Sequence, residues 1–267
     1  MIYIDSKQKL TAIIQARLGS SRLPGKVMVK INGKPLLYYV INQTSHSKYI
    51  KNIIVATTRL SQDKKIVSFC KSNNIKYFRG SNTDLLDRYY NCAKKFNCNP
   101  IIRITSDCPL IDPIVIDTII KKFLENSYDY VSNNIEKKQN EWVNSTCNFP
   151  QGMTVEISSF EALEKVWKKS KKSSEREHVF PYIQSHPKFF KISNVKHKPD
   201  YSHVRCTVDR KEDLTFIKEL FKNFPKNLRF IKMKDIIKII KSDPDLIKIN
   251  SSIPFDEGYQ LSLKNDN

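Results

Sequence analysis

The feature that most constrains this chain is a rhythm. Short apolar runs too brief for helices alternate with helix-length amphipathic segments through the first two thirds. TAIIQA (Thr11–Ala16), NIIVATT (Asn52–Thr58) and PIIRIT (Pro100–Thr105) are rich in β-branched residues and lack the polar alternation of a strand with one wet face. Helical patterns lie between them, over 35–47, 62–73, 83–96 and 113–125, with a cap at Asn82 or Thr83 and another at Asp112 before Pro113. Shorter strands read over Lys76–Phe78 and Asp129–Ser132. Strands buried on both faces and linked by helices specify an α/β fold with a mostly parallel sheet. In such sheets ligands bind beyond the carboxyl ends of the strands, so the loops after Ala16, Thr58, Phe78 and Thr105 should form the site.

The rhythm breaks after Asn133. Residues 134–200 read as an insertion, a lid or dimerisation segment, containing a strand over Met153–Ile157 and a helix over Ser159–Lys169. The chain is expected to rejoin the sheet as a strand at His203–Val208. Residues 1–230 then form one domain, and 231–267 a helix (about Lys234–Lys241) with a polar, frayed tail. Met1–Gln8 is polar and unlike a secretory signal, and no run approaches the roughly 20 apolar residues of a membrane span. The six cysteines show no C-x-x-C spacing, which fits reduced thiols in the cytoplasm.

A formal charge of +19 raises the question of nucleic acid. The excess is nearly all lysine spread along the chain, without zinc-finger, RNP-type or basic-zipper patterns, so nucleic acid is not an expected partner. Arginine says more. Where lysine serves as the generic cation, the few arginines mark places needing a planar, bidentate donor. All but Arg59 and Arg229 fall in or beside the segments below.

Three segments carry chemistry. In IIQARLGSSRLPGK (Ile13–Lys26) a buried strand runs into a loop offering hydroxyls, backbone N–H groups and the cations Arg17, Arg22 and Lys26 to a polyphosphate. It is neither a Walker loop nor G-x-G-x-x-G. In RITSDCPLIDP (Arg103–Pro113), Asp107 follows a buried strand, where a carboxylate needs a cation, and one or two carboxylates plus phosphates suffice for Mg²⁺. HVRCTVDRKEDL (His203–Leu214) delivers Asp209 as its partner carboxylate, with a helix opening at EDL.

These segments, with ATT (Ala56–Thr58), FRGS (Phe78–Ser81), LLDRY (Leu85–Tyr89), SEREHV (Ser174–Val179) and EGY (Glu257–Tyr259), resemble the cytidylyltransferases that make CMP-activated sugar acids. The nearest subgroup is the spore coat polysaccharide biosynthesis proteins. The resemblance implies a three-layer α/β/α, Rossmann-like nucleotide-diphospho-sugar transferase fold. It implies transfer of CMP from CTP to a sugar-acid-like hydroxyl with release of pyrophosphate, for surface polysaccharide or glycoconjugate synthesis. It further implies nucleotide contacts from Ala16, Arg17, Ser20, Ser21, Arg22, Lys26, Arg79, Gly80, Ser81, Asp87, Arg88 and Ser106. Arg22 and Lys26 would stabilise charge on the α-phosphate and the leaving pyrophosphate, and Asp107 and Asp209 would hold Mg²⁺. A homodimer through 136–151 is implied as well.

The acceptor side departs from the subgroup. The segment here is FPQGMTVE, so Gln151 and Thr154 stand where carboxylates are common and Glu156 remains. Glu175, Arg176 and His178 match and are expected to line the acceptor pocket with these three. Alternative acceptors are a non-sugar alcohol or a phosphonate. A nucleotide-sugar-dependent glycosyltransferase would show an internal D-x-D. The DPD at Asp243–Asp245 lies in the tail, away from any strand end. A basic binding protein without activity would leave the phosphate loop without CTP.

Overall fold

The computed structural model describes residues 10–139, 141–225 and 227–266, so Met1–Gln8 lies outside the described residues. Strand β1 (Leu10–Gln15) is followed by the small hairpin β2 (Lys30–Ile31) and β3 (Lys34–Pro35), helix α1 (Leu36–Ser45) and β4 (Ile50–Thr58). Then come α2 (Lys64–Ser72), β5 (Lys76–Gly80), α3 (Leu85–Phe96), β6 (Ile101–Thr105), α4 (Pro113–Glu125) and β7 (Tyr130–Ser132). A hairpin of β8 (Ile135–Lys138) and β9 (Glu141–Asn144) precedes β10 (Glu156–Ser158), α5 (Phe160–Lys169), α6 (Ser173–His178), α7 (Pro181–Ser185) and β11 (Ile192–Asn194). Helices α8 (Lys211–Lys222), α9 (Met233–Ser242) and α10 (Glu257–Leu263) complete the chain.

Seven strands form one sheet in the order β11-β7-β10-β6-β1-β4-β5. All run the same way except β10, which is antiparallel to both β6 and β7. Alternate side chains feed two cores. Ala12, Ile14, Val55, Ile102 and Ile104 pack on the face of α1, α4, α8 and α9, whereas Ile13, Ile54, Ala56 and Ile101 face α3, α5 and α7. This is the expected three-layer α/β/α arrangement with a mostly parallel sheet.

Local chemistry sets the helix ends. Asp112 caps α4 by accepting from Ile114 N at 2.7 Å, and its other oxygen accepts from Met233 N at 2.7 Å, which ties α9 to α4. Ser159 caps α5 through Ala162 N, and Asp84, just beyond the expected Asn82 or Thr83, caps α3 through Asp87 N. The six cysteines are buried and unpaired, and burial pushes the Cys70 and Cys206 thiols up to about 12. No described helix is long and apolar enough to cross a membrane.

Three expectations are corrected here. Residues 134–200 are not a separate lid, because β10 and β11 belong to the main sheet and hairpin β8–β9 alone leaves it. Residues 203–208 form no sheet strand; their backbone bonds go elsewhere. Gln151 N donates to Val204 O, Cys206 N to Gln151 O and Val208 N to Asp107 O, each at 2.8 Å, so this run docks against the segment before β10 and, at its end, against the loop after β6. Gly152 permits the docking, since at φ +89° any added Cβ would lie 2.6 Å from Thr207 N. The tail is not frayed: a 3₁₀ turn over Pro244–Ile249 and helix α10 fold it back onto α6.

Candidate active site

The loop after β1 is held from beneath. Asp63, fully buried, accepts from Leu18 N at 2.8 Å and from the Thr58 hydroxyl, so the ends of β1 and β4 share one carboxylate. Gly25, at φ 73°, donates N–H to Leu18 O at 2.9 Å and closes the loop just before Lys26. Lys26 is therefore aimed inward although its side chain is only 9% exposed.

Its ammonium is the centre of the site. Nζ donates to Asp107 Oδ2 at 3.0 Å, to Asp209 Oδ1 at 2.9 Å and to Val208 O at 2.7 Å. Arg22 Nη2 adds a 2.7 Å bond to Asp209 Oδ1, and Arg205 Nη2 one of 3.1 Å to Oδ2. Burial pulls the Lys26 pKa down, but the two carboxylates override this and hold it above the ordinary value. Burial pushes Asp209 up, yet Lys26 and Arg22 hold its carboxyl well below the usual range. Docking of 203–208 against the loop after β6 is what brings these two carboxylates together. Arg22 Nε is buried without a hydrogen-bond partner, and Glu257 Oε2 is 4.0 Å away.

Two contiguous cavities open from this cluster and share Arg22, Arg103, Asp107, His178, Asp209 and Gly258. The first, about 330 Å³, is bordered by Ala16, Arg17, Ser20, Ser21, Lys26, Arg88 and Ser106. Buried Arg88, drawn down to about 10 by burial and by Arg17, gives one bond to Ser81 O at 2.9 Å. Gly80 lets it pass, because a Cβ there would lie 2.8 Å from Arg88 Cγ. The second cavity, about 250 Å³, is bordered by Gln151 and Thr154 with the amides of Asn133 and Asn134. Gln151 Oε1 accepts from Arg205 Nη1 at 3.0 Å, so it also steadies the arginine that grips Asp209.

Several expected contacts lie elsewhere. Arg79 spends its guanidinium on Thr58 O, Arg59 O and Leu60 O, because it projects from β5 toward the β4–α2 loop. Gly80, Ser81 and Asp87 border a separate groove beside α3, where Asp87 accepts from Trp167 Nε1 at 3.1 Å. Glu156 is buried in β10, where it takes a short contact from Arg103 and a 2.5 Å bond from Tyr130. Glu175 caps α6 by accepting from Lys171 N and Lys172 N. Arg176 ties α6 to α3 through Asp84 Oδ2 at 2.6 Å. Of that expected acceptor group, Gln151, Thr154 and His178 reach a cavity. Burial, with Arg103 and Arg22 nearby and Glu177 opposing, pulls the His178 imidazole down to about 4, so it is neutral at pH 7.

Sequence reasoning missed the structural roles of Gln15, Asp63, Arg103 and the tail. Arg103 is legible afterwards as a lone arginine inside an apolar strand: it points to the cavities, bonded to Gln15 Oε1 at 3.0 Å and to Glu156. The tail borders both cavities through Gly258, where an added Cβ would meet Arg22 Nη1 at 3.3 Å.

Comparison with known proteins identifies the family. The Cytidylyltransferase family model matches residues 11–243. An uncharacterized protein of Methanocaldococcus jannaschii is 37% identical over 92% of this chain and 96% of its own length. The spore coat polysaccharide biosynthesis protein SpsF of Bacillus subtilis is 29% identical over 87% of this chain and 94% of its own. The solved structure of a cytidylyltransferase from Leptospira borgpetersenii superposes with a TM-score of 0.82 at 33% identity, covering 90% of this chain and 96% of that one. With a phosphate-type loop, two converging carboxylates and this match along most of its length, the chain belongs to the cytidylyltransferase family.

Proposed function

We propose that this protein transfers CMP from CTP to the hydroxyl of a sugar-acid-like acceptor and releases pyrophosphate, in the making of a surface polysaccharide or glycoconjugate. The observation that carries the reading is the convergence of Asp107, Asp209 and Lys26 between a cavity rich in phosphate-type donors and one lined by neutral amides.

Asp107 and Asp209 would hold Mg²⁺. The fit rests on their chemistry: two hard oxygen donors already converge on a cation, the Lys26 ammonium. Two carboxylates suffice for an ion that keeps waters and substrate phosphates as its other ligands. When bound, Mg²⁺ supplies charge neutralisation to the triphosphate and the departing pyrophosphate. The chain does the rest. Arg22, with its unfilled Nε–H, and the loop hydroxyls of Ser20 and Ser21 orient the phosphates. Lys26 has all three N–H donors engaged, so it meets a phosphate by giving up a carboxylate partner. Ala16, Arg88 and Ser106 bound the space left for the nucleoside, and Gln151 and Thr154 face the acceptor. The reading extends to pairing of two copies through 136–151, in a cytoplasmic enzyme.

Thermal unfolding with nucleotides tests the reading. CTP with Mg²⁺ should raise the Tm more than UTP or GTP, because a ligand at 100 times its Kd stabilises by about 2.7 kcal/mol. Equal shifts for all three would remove CTP from the proposal. A CTP shift unchanged by chelating Mg²⁺ would remove the metal.

A further inference from the structure

Four carboxylates border the amide-lined cavity: Asp107, Asp209, Asp256 and Glu257. Three are held by cations, the first two by Lys26 and Glu257 by Arg210 at 2.5 Å. Asp256 has no cation partner among the described residues; its Oδ2 accepts from Asn144 Nδ2, on β9, at 2.7 Å. The backbone fixes its place. Asp256 sits at φ 59°, ψ 25°, in the left-handed region that Asp and Asn tolerate best after glycine, and its carbonyl accepts from Tyr259 N and Gln260 N to start α10. A half-buried carboxylate is thus presented to the cavity by the chain itself, with a neutral amide as its support.

We propose that Asp256 is the general base of the transfer, taking the proton of the acceptor hydroxyl. The proposal rests on the cytidylyl-transfer reading above. The acceptor O–H bond breaks and its proton goes to an Asp256 oxygen, while the acceptor oxygen forms a bond to the α-phosphorus of CTP. The bond from that phosphorus to the bridging oxygen breaks, and its electron pair leaves with pyrophosphate. The proton passes from Asp256 to solvent before the next turnover.

The electrostatics support this role. Burial, opposed by the Asn144 bond and aided by the charge of Glu156, pushes the Asp256 carboxyl up to about 6. Such a group is ionised at pH 7 yet accepts a proton more readily than an ordinary carboxylate. The charged and titratable groups facing it are Glu156 from β10, His178 from α6, Arg22, Arg103, Asp107, Arg205 and Asp209 across the cavity, and Glu257 and Tyr259 in its own segment. Asn144, Ser145 and Thr146, from β9 and the turn after it, are neutral. His178, down at about 4, and Tyr259, raised by burial and by Asp256, keep their charge between pH 5 and 8.

The test is Asp256→Asn, which keeps the left-handed preference and an acceptor oxygen for Asn144 while removing the base. A general base typically contributes about 10²–10⁴-fold, so kcat should fall by about 100-fold or more, with KM for CTP unchanged. The wild-type rate should rise through pH 6 to a plateau, and that limb should vanish in the variant. A merely structural role predicts a lower Tm instead. Because folding raises the carboxyl above its unfolded value, the ionised group costs stability above pH 6, so Asp256→Asn should melt no lower at pH 7. Wild-type kcat with the limb intact would overturn the proposal. If the wild type releases no pyrophosphate with any acceptor, the transfer reading fails on its own. A base for that transfer then falls with it, whereas a wild type that does transfer but whose Asp256 midpoint by ¹³C carboxyl NMR lies near 4 overturns the base alone.

Discussion

Lys26→Met should lower kcat by about 10²–10³-fold, the loss typical when a fixed donor to developing charge is removed from a site. Methionine keeps the unbranched stem, so the buried slot stays filled. What disappears is the ammonium that bonds Asp107, Asp209 and Val208 O within 3.0 Å. Two carboxylates then face an incoming triphosphate with one cation fewer between them, and the repulsion adds to the loss of phosphate contact. The fold should survive, because Arg22 and Arg205 still hold Asp209 at 2.7 and 3.1 Å. Steady-state kinetics with a Tm measurement decides. A variant with near wild-type kcat would show that Lys26 only neutralises the carboxylates.

The largest effect on stability is expected at Glu156→Gln. Arg103 and Glu156 are 8% and 3% exposed, and Glu156 also takes the hydroxyl of fully buried Tyr130. Burial pulls the Arg103 pKa down, but the Glu156 carboxylate more than offsets it. Removing one charge of such a pair leaves the other buried and unmatched, at a cost of about 3–5 kcal/mol. For a chain of this size the Tm should drop by roughly 10 °C. The double change Arg103→Met with Glu156→Leu should recover most of that loss, since apolar pairs can replace buried ion pairs. It would still remove a guanidinium shared by both cavities. A Glu156→Gln protein melting within 2 °C of wild type, about the shift from 0.5–1 kcal/mol, would contradict the buried-pair account.

The contrast between these sites shows what the amino-acid sequence made legible. β1, β4 and β6 announced themselves through uniform apolar runs, and α4 through Asp112 and Pro113, because burial on two faces and capping are local effects. The positions of the loop after β1 and of Asp107 were legible for the same reason, since each follows a buried strand directly. Strand order could not. β10 is three residues long and reversed between β6 and β7, and its periodicity says nothing of its neighbours. Residues 203–208 have the composition of a strand but give their backbone bonds to Gln151 and Asp107, a tertiary choice no local propensity encodes. Glu175 and Arg176 share a segment with His178, yet the helix turns them toward its own N-terminus and Asp84. The tail looked polar enough to fray. Asp256, Glu257 and Gly258 fold back because they meet Asn144, Arg210 and Arg22, which are far away in the chain.

The central claim is that this chain moves a cytidylyl group, and pyrophosphate release tests it most directly. The purified protein is incubated with CTP and Mg²⁺, with and without each of a panel of sugar acids and one neutral sugar. UTP, GTP and ATP are run in parallel. The account predicts release that requires CTP, Mg²⁺ and at least one acidic acceptor together, with matching formation of a CMP-linked product. Release that ignores the base of the nucleotide, or that proceeds without any acceptor or metal, would contradict it.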